Sequence, residues 1–398
     1  MIVPPVDRRL MPWGTPRALL VAAVLFAGAC REPATVTAWQ RFPEPTDFGF
    51  TEFPGGMVLD PTGHPNVIWD DGYGSAFIEA WDGGNWRLVG GGQIAAPEQV
   101  VAMGIQVDRS GRPAALLANS YPPDVYHPYV EQWTEGAWVT IGGGAIPADH
   151  EVGIAIAFDR DDQPVVLLAK TLDPCCLLHD YRVVRWDGSS WQSFGNALNP
   201  VPGQHPNPAG LVLDDEGFPV VALWENDGTH DNAYVVRWDG TQWQLVGGAI
   251  NPRAGEDVQV GGPYWRAGQS VVVDRSGNPI VLVQSRPPSA HGYVMRWNGS
   301  AWQMLRGPLV SATWTASYAT AIVLDQSGAP VLAASIENAA IVSRWNERDW
   351  QQLGTAVNSD VEKLCYPAFL GVDLENAPLV LFLENGPNGY THVSRLRP

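Results

Sequence analysis

The sequence predicts an all-β fold: a seven-bladed β-propeller of four-stranded antiparallel blades, with the N-terminal strand closing the last blade. Three observations predict it. An Asp-x-x-Gly-x-Pro segment between two apolar runs occurs seven times. A hairpin motif with two Trp separated by four residues occurs six times. The strand missing from the last unit has its counterpart near the other end of the chain.

The first motif reads DPTGHP from Asp60, DRSGRP from Asp108, DRDDQP from Asp159, DDEGFP from Asp214, DRSGNP from Asp274, DQSGAP from Asp325 and DLENAP from Asp373. The intervals of 48, 51, 55, 60, 51 and 48 residues are one blade each. Asp accepts the backbone N–H two residues on and starts a turn. The fourth position needs a positive φ, which suits Gly. Asp162 and Asn376 replace Gly, and they are among the few other residue types that tolerate this conformation. The Pro two residues later opens the next strand, where a missing N–H is tolerated.

The second motif covers Trp81–Trp86, Trp133–Trp138, Trp186–Trp191, Trp238–Trp243, Trp297–Trp302 and Trp345–Trp350. A four-residue loop sets its flanking Trp directly opposite one another, a cross-strand aromatic contact. In the fifth unit the strands are expected at Ser270–Val273, Ile280–Gln284, Tyr293–Trp297 and Trp302–Leu305. Their weak apolar/polar alternation fits burial on both faces. The last unit ends on Val393-Ser394-Arg395-Leu396 with no fourth strand, and Trp39-Gln40-Arg41-Phe42 resembles Trp243-Gln244-Leu245-Val246. Trp39 is therefore expected opposite Leu396, tying the ring shut and hiding two sheet edges.

The six hairpins of Arg-Trp-Asp-Gly-x-x-Trp type, followed by Gly-Gly or a similar pair, resemble those of Kelch-type and galactose-oxidase-type propellers over residues 39–398. Kelch repeats also carry a double Gly after their second strand, and this chain mostly lacks it. The resemblance implies the propeller fold and carries over no ligand. The repeat order is also similar to that of exported bacterial propellers.

The first thirty residues read as a targeting segment, and the expected organisation is a signal peptide over 1–29, a linker over 30–38 and the propeller over 39–398. Arg8, Arg9 and Arg17 precede the apolar run Ala18–Ala29, and Cys30 follows at once. Ala27-Gly28-Ala29-Cys30 resembles a lipoprotein lipobox, with Ala27 where Leu is usual. That implies a lipid on Cys30 and a cell-envelope location, or secretion if Cys30 is not modified. The net charge of −18 argues against nucleic-acid binding. No later segment is apolar enough to span a bilayer. The lipid on Cys30 is thus the expected membrane contact, and a monomer is expected.

Both tight turns of each unit fall on one side of the disc. The other two connections fall on the opposite side and are long, as in Asn119–Tyr129, Leu172–Tyr181, Gly247–Gln269 and Arg306–Thr320. Sites concentrate on such loops. Seven of the eight His belong in or beside them (His127, His150, His179, His205, His230, His291, His392), with Trp69, Trp224, Trp265 and Trp314. The candidate ligand-binding residues are Tyr264, Trp265, Trp314, Tyr318, His179, His230 and His291. Scattered loop imidazoles and self-packed loops would explain the same enrichment. No catalytic or metal-binding motif is present, and no cofactor or metal is expected. Arg185, Arg237, Arg296, Arg344 and Arg395 share one position in the repeat, which points to a structural role, pairing with a turn Asp or stacking on a Trp. Cys175, Cys176 and Cys365 leave one thiol over in any pairing.

Two functions follow. The first is a non-enzymatic binding or scaffold protein for a protein, peptide or glycan, acting through the long-loop face. The second is a polysaccharide lyase or hydrolase, with His and acidic residues over the central channel.

Overall fold

A computed structural model describes residues 38–43, 54–96, 99–119, 127–147, 151–171, 178–196, 198, 200, 207–261, 269–286, 291–306, 317–336, 338–358, 364–385 and 390–397. They belong to the unit Thr37–Pro398. They form seven antiparallel sheets arranged as propeller blades. The signal segment and Cys30 lie outside the described residues, as do Cys175 and Cys176.

Blade one shows the plan, with strands Gly56–Leu59, Pro65–Asp70, Ala76–Trp81 and Trp86–Leu88 from the axis outward. Each Asp-x-x-Gly-x-Pro segment joins the innermost strand to the second, and every second strand begins on the predicted Pro. In all seven turns Asp Oδ1 accepts the N–H groups of the residues two and four further on; Asp274 takes Ser276 and Asn278, each at 2.9 Å. One short carboxylate thus satisfies two orphan donors that a sharp turn would leave unpaired. The fourth position has positive φ throughout, including 55° at Asp162 and 62° at Asn376.

The five repeated Arg lie on third strands and reach back to these Asp. The pairs are Arg185–Asp159, Arg237–Asp214, Arg296–Asp274, Arg344–Asp325 and Arg395–Asp373. Gln132 takes the same place in blade two, donating to Asp108 at 3.0 Å. In these six blades the turn is thereby tied to the body of its own blade.

The six Trp pairs face each other across the third and outermost strands, with ring centroids 5.4–5.7 Å apart. They also lock the ring, because several second Trp donate Nε1–H to a backbone carbonyl of the preceding blade. Trp243 reaches Phe194, Trp302 reaches Val246 and Trp350 reaches Leu305. Gly195 and Gly247, which follow two of these carbonyls, lie beneath the Trp pair. At Gly247, φ is 77° and an added Cβ would come within 2.5 Å of the Trp297 ring. In blades one to four the glycine following the hairpin is therefore a seat for the next blade's indoles, while blade five has Arg306 there.

Closure is as expected. Trp39–Arg41 pairs antiparallel with Tyr390–Leu396, with Trp39 opposite Leu396. Trp39 Nε1 donates to the Thr355 carbonyl of blade six at 3.0 Å, so the borrowed strand repeats the interblade contact. The core is seven apolar clusters, each shared by two adjacent blades. The blades stay in a ring because each buries its faces only against its neighbours.

The long connections depart from expectation. Residues 178–181 and 317–320 are in strands, because they pair with the extended second strands of their blades. His392 is likewise buried inside the strand Tyr390–Leu396. Most important, residues 247–269 are not one loop. Val258–Val260 pairs with Val283–Ser285, so the innermost strand of blade five already begins there. The chain leaves that strand at Gly261 and rejoins it as Val271–Val273. Leu282 donates to Ser270 O and accepts from Gly261 N, spanning both edges of the gap. In five other blades the same level holds a β-bulge. In blade five the innermost strand is interrupted at that level, between Gly261 and Ser270.

Candidate functional site

Two features stand out: a polar network on the long-loop face between blades four and five, and the bore of the ring.

The network is built on strand ends. Asn226 and Asp231 are paired residues that close the hairpin Asp227–His230 of blade four, and Asn226 Nδ2 donates to Asp231 Oδ1 at 2.8 Å. Asp227 is held below the usual carboxylate range by the side chain of Thr229 and the N–H of His230 and Thr229. From blade five, Arg286 forms an ion pair with the buried Asp231, and its guanidinium lies 5.2 Å from the Trp224 ring centroid. This joins an ion pair to a cation–π contact across the blade seam. Asp257 Oδ1 accepts the N–H of Asp231 at 3.0 Å and lies 3.3 Å from His230 Nδ1. The N–H of Asp231, and after it His230, hold the Asp257 carboxyl low. Asn232, Asn251, Arg253 and Glu256 extend the network along the same edge.

The predicted site residues separate. His230 is in the network, with its side chain 44% exposed. His291 is buried beside Tyr293, with ring centroids 6.2 Å apart, and neither ring nitrogen has a hydrogen-bond partner among the described residues. His179 pairs with Lys170 and Tyr318 with Ser335 in strand register. Tyr264, Trp265 and Trp314 lie outside the described residues, as do His150 and His205. Trp224 is the aromatic that the structure places in the network. Its register with Ala233, two residue pairs from the Asn226–Asp231 closing pair, is the signal that could have placed it.

The bore is a cavity of about 370 Å³ along the innermost strands. Its lining side chains include Met57, Met103, Ile156, Leu211, Ile322 and Phe369, and Gln106 and Gln269 are the polar ones among them. All its lining residues lie between the level of the bulges and the Asp turns, so it occupies the short-turn half of the ring. Gln269 stands in the bore itself. Its carbonyl accepts Ile322 N–H of blade six at 2.7 Å, and Oε1 accepts Leu370 N–H of blade seven at 2.8 Å. One residue of blade five thus reaches two other blades at the bulge level.

Cys365 is free and buried, and burial together with Glu384 pushes its thiol up to about 12. Among the described residues no group of three His, Cys, Asp or Glu is arranged to hold a metal ion. No described helix is long and apolar enough to cross a membrane.

No family model matches the chain, and no curated protein matches it significantly. Solved structures do. A virginiamycin B lyase from Staphylococcus aureus is 10% identical, with 91% of this chain and 99% of that one covered at a TM-score of 0.55. The polysaccharide lyase Uly1 is 9% identical, with 90% and 93% covered at 0.56. A protein from Lactobacillus plantarum is 13% identical, with 82% and 94% covered at 0.53. At such identity the likeness establishes what the strand register also shows: this chain is a seven-bladed β-propeller.

Proposed function

We propose that this chain is an exported binding protein, held to the cell envelope through a lipid on Cys30. It would present the long-loop face over blades four and five to a protein, peptide or glycan. The observation that carries this reading is the network around Asp231. Arg286, Trp224, Asp257 and Asn226 are fixed against one another at a blade seam, which gives a preorganised polar surface. His230, Asp257, Arg286 and Arg253 are its half-exposed members and the first available to a ligand.

A direct test is binding of the purified protein to glycan and peptide arrays, followed by titration calorimetry on each hit with wild type, Asp257→Ala and His230→Ala. Saturable binding weakened by both substitutions, with the ligand recovered intact, supports the reading. For the anchor, incorporation of a labelled fatty acid should occur in wild type and be lost in Cys30→Ala.

The second reading is a polysaccharide lyase or hydrolase. It is favoured by one pair, His230 Nδ1 with Asp257 Oδ1 at 3.3 Å, an imidazole and carboxylate placed to move a proton. The fold likeness to the polysaccharide lyase Uly1 is compatible with it. Turnover of a uronate polysaccharide that His230→Ala abolishes would replace the binding reading with this one.

A further inference from the structure

We propose that the bore is a second binding site, on the opposite side of the disc from the network, for a small amphiphilic anion. Such a ligand has an apolar body and one acidic head. Three observations converge on it.

The first is the wall. A ligand pocket usually measures about 300–1,000 Å³ and is mostly apolar with few polar groups. The bore has about 370 Å³, a wall of Val, Ile, Leu, Met and Phe, and two glutamines. Burying an alkyl or aryl group there is favourable by roughly 25 cal/mol per Å² of apolar surface.

The second is direction. The lining runs from Gly104 and Phe369 at the bulge level to Val273 and Leu324, which immediately precede the turns of Asp274 and Asp325. Gln269 stands at the other end, bonded to blades six and seven. A ligand's apolar end would lie toward Gln269 and its head at the short-turn rim.

The third is charge at that rim. The residue after each turn Asp is the first to leave the innermost strand, so it lies nearest the mouth. These residues include Arg109, Arg160 and Arg275. The turn Asp carboxylates are committed elsewhere: Oδ1 to turn N–H groups in all seven, and the other oxygen to a third-strand Arg in five blades. Arg275 donates to the Gln326 carbonyl. Arg109 and Arg160, exposed on adjacent blades, have guanidinium groups with no ion pair among the described residues. They are positioned to receive a carboxylate or sulfonate head while the tail enters the bore.

Octanoate and octanol share an apolar tail and differ in the charge of the head, so titration calorimetry with the two probes separates the two parts of the site. Octanoate is expected to bind one-to-one and to displace an anilinonaphthalene sulfonate probe. Ala155→Phe, which fills the bore from a small wall position, should weaken octanoate at least about ten-fold. Val323→Phe makes the same test from blade six if the first variant melts early. The double variant Arg109→Gln/Arg160→Gln should weaken octanoate about five-fold and leave octanol unchanged. Failure of octanoate to bind, full binding to both Phe variants, or equal loss for both probes in the Arg variant would each overturn the assignment.

Discussion

The backbone N–H of Gln326, in the turn of blade six, donates to Asn376 Oδ1 in the turn of blade seven at 3.1 Å. The same bond recurs between Arg109 and Asp162 Oδ1 in blades two and three, also at 3.1 Å. Where the turn glycine is replaced, the substitute tolerates positive φ and latches its turn to the preceding one. Asn376→Ala keeps the strained backbone and loses the acceptor, so it should cost about 1–2 kcal/mol. Asn376→Gly relieves the backbone while losing the acceptor and should cost less than half of that. Chemical denaturation of the three proteins gives the comparison, and equal losses for both variants would show that the interblade bond carries the whole effect.

Asp274 joins three jobs in one side chain. Burial pushes its carboxyl up, but the N–H of Asn278 and the Arg296 guanidinium outweigh that, so its pKa is lowered. Its stabilisation is therefore present above the unfolded value of about 4 and lost as pH falls through the lower folded value. Asp274→Ala should destabilise by about 3 kcal/mol at pH 7, since two turn N–H groups and a partly buried Arg lose their partner. Melting followed from pH 7 to pH 2 should show the gap between wild type and variant narrowing at the acid end.

Glu131 has the opposite sign. It is fully buried on the face of blade two that meets blade one, with Oε1 accepting from Thr140 at 2.7 Å and Oε2 unpartnered. Burial raises its pKa from 4.5 to about 7. The folded state favours the protonated acid, so stability is fully present below the unfolded value and declines as pH rises toward 7. Glu131→Gln should stabilise the protein by about 2–3 kcal/mol at pH 8 and change little at pH 4. Denaturation midpoints at the two pH values test this, and a variant weaker than wild type at pH 8 would contradict it.

His291 has both ring nitrogens buried without a hydrogen-bond partner among the described residues. His291→Phe removes that penalty at similar volume and should leave stability unchanged or raise it by about 1 kcal/mol. Thermal melting measures it; a loss above about 2 kcal/mol would indicate a polar partner bound at the seam.

Cys365 should resist alkylation in the folded protein and react once the protein is unfolded, because burial raises its thiol pKa and excludes reagent. Mass spectrometry of iodoacetamide-treated native and denatured samples distinguishes the two states.

The blade count, the turns, the Trp pairs and the closing strand were legible in the chain because each is local or repeated. Asp60 and His64 make their turn from contacts four residues apart, and the repeat shows it seven times. The Arg–Asp pairs were legible for the same reason, since Arg296 and its counterparts recur next to the last residue of the third strand in five units. The site was much less so. The amino-acid order places Asp231 and Arg286 55 residues apart, and nothing local marks them as partners. Val258–Val260 is only three residues long, so its strand identity comes from pairing with Val283–Ser285.

By itself, then, the sequence determined the ring: turn chemistry and cross-strand aromatics act over a few residues, and repetition makes them visible. Only the tertiary structure decided which groups meet at the blade seams and which side of the disc holds the open part of the bore. Those depend on packing between blades, where residues such as Gln269 and Leu370, 101 positions apart, become neighbours when the ring closes.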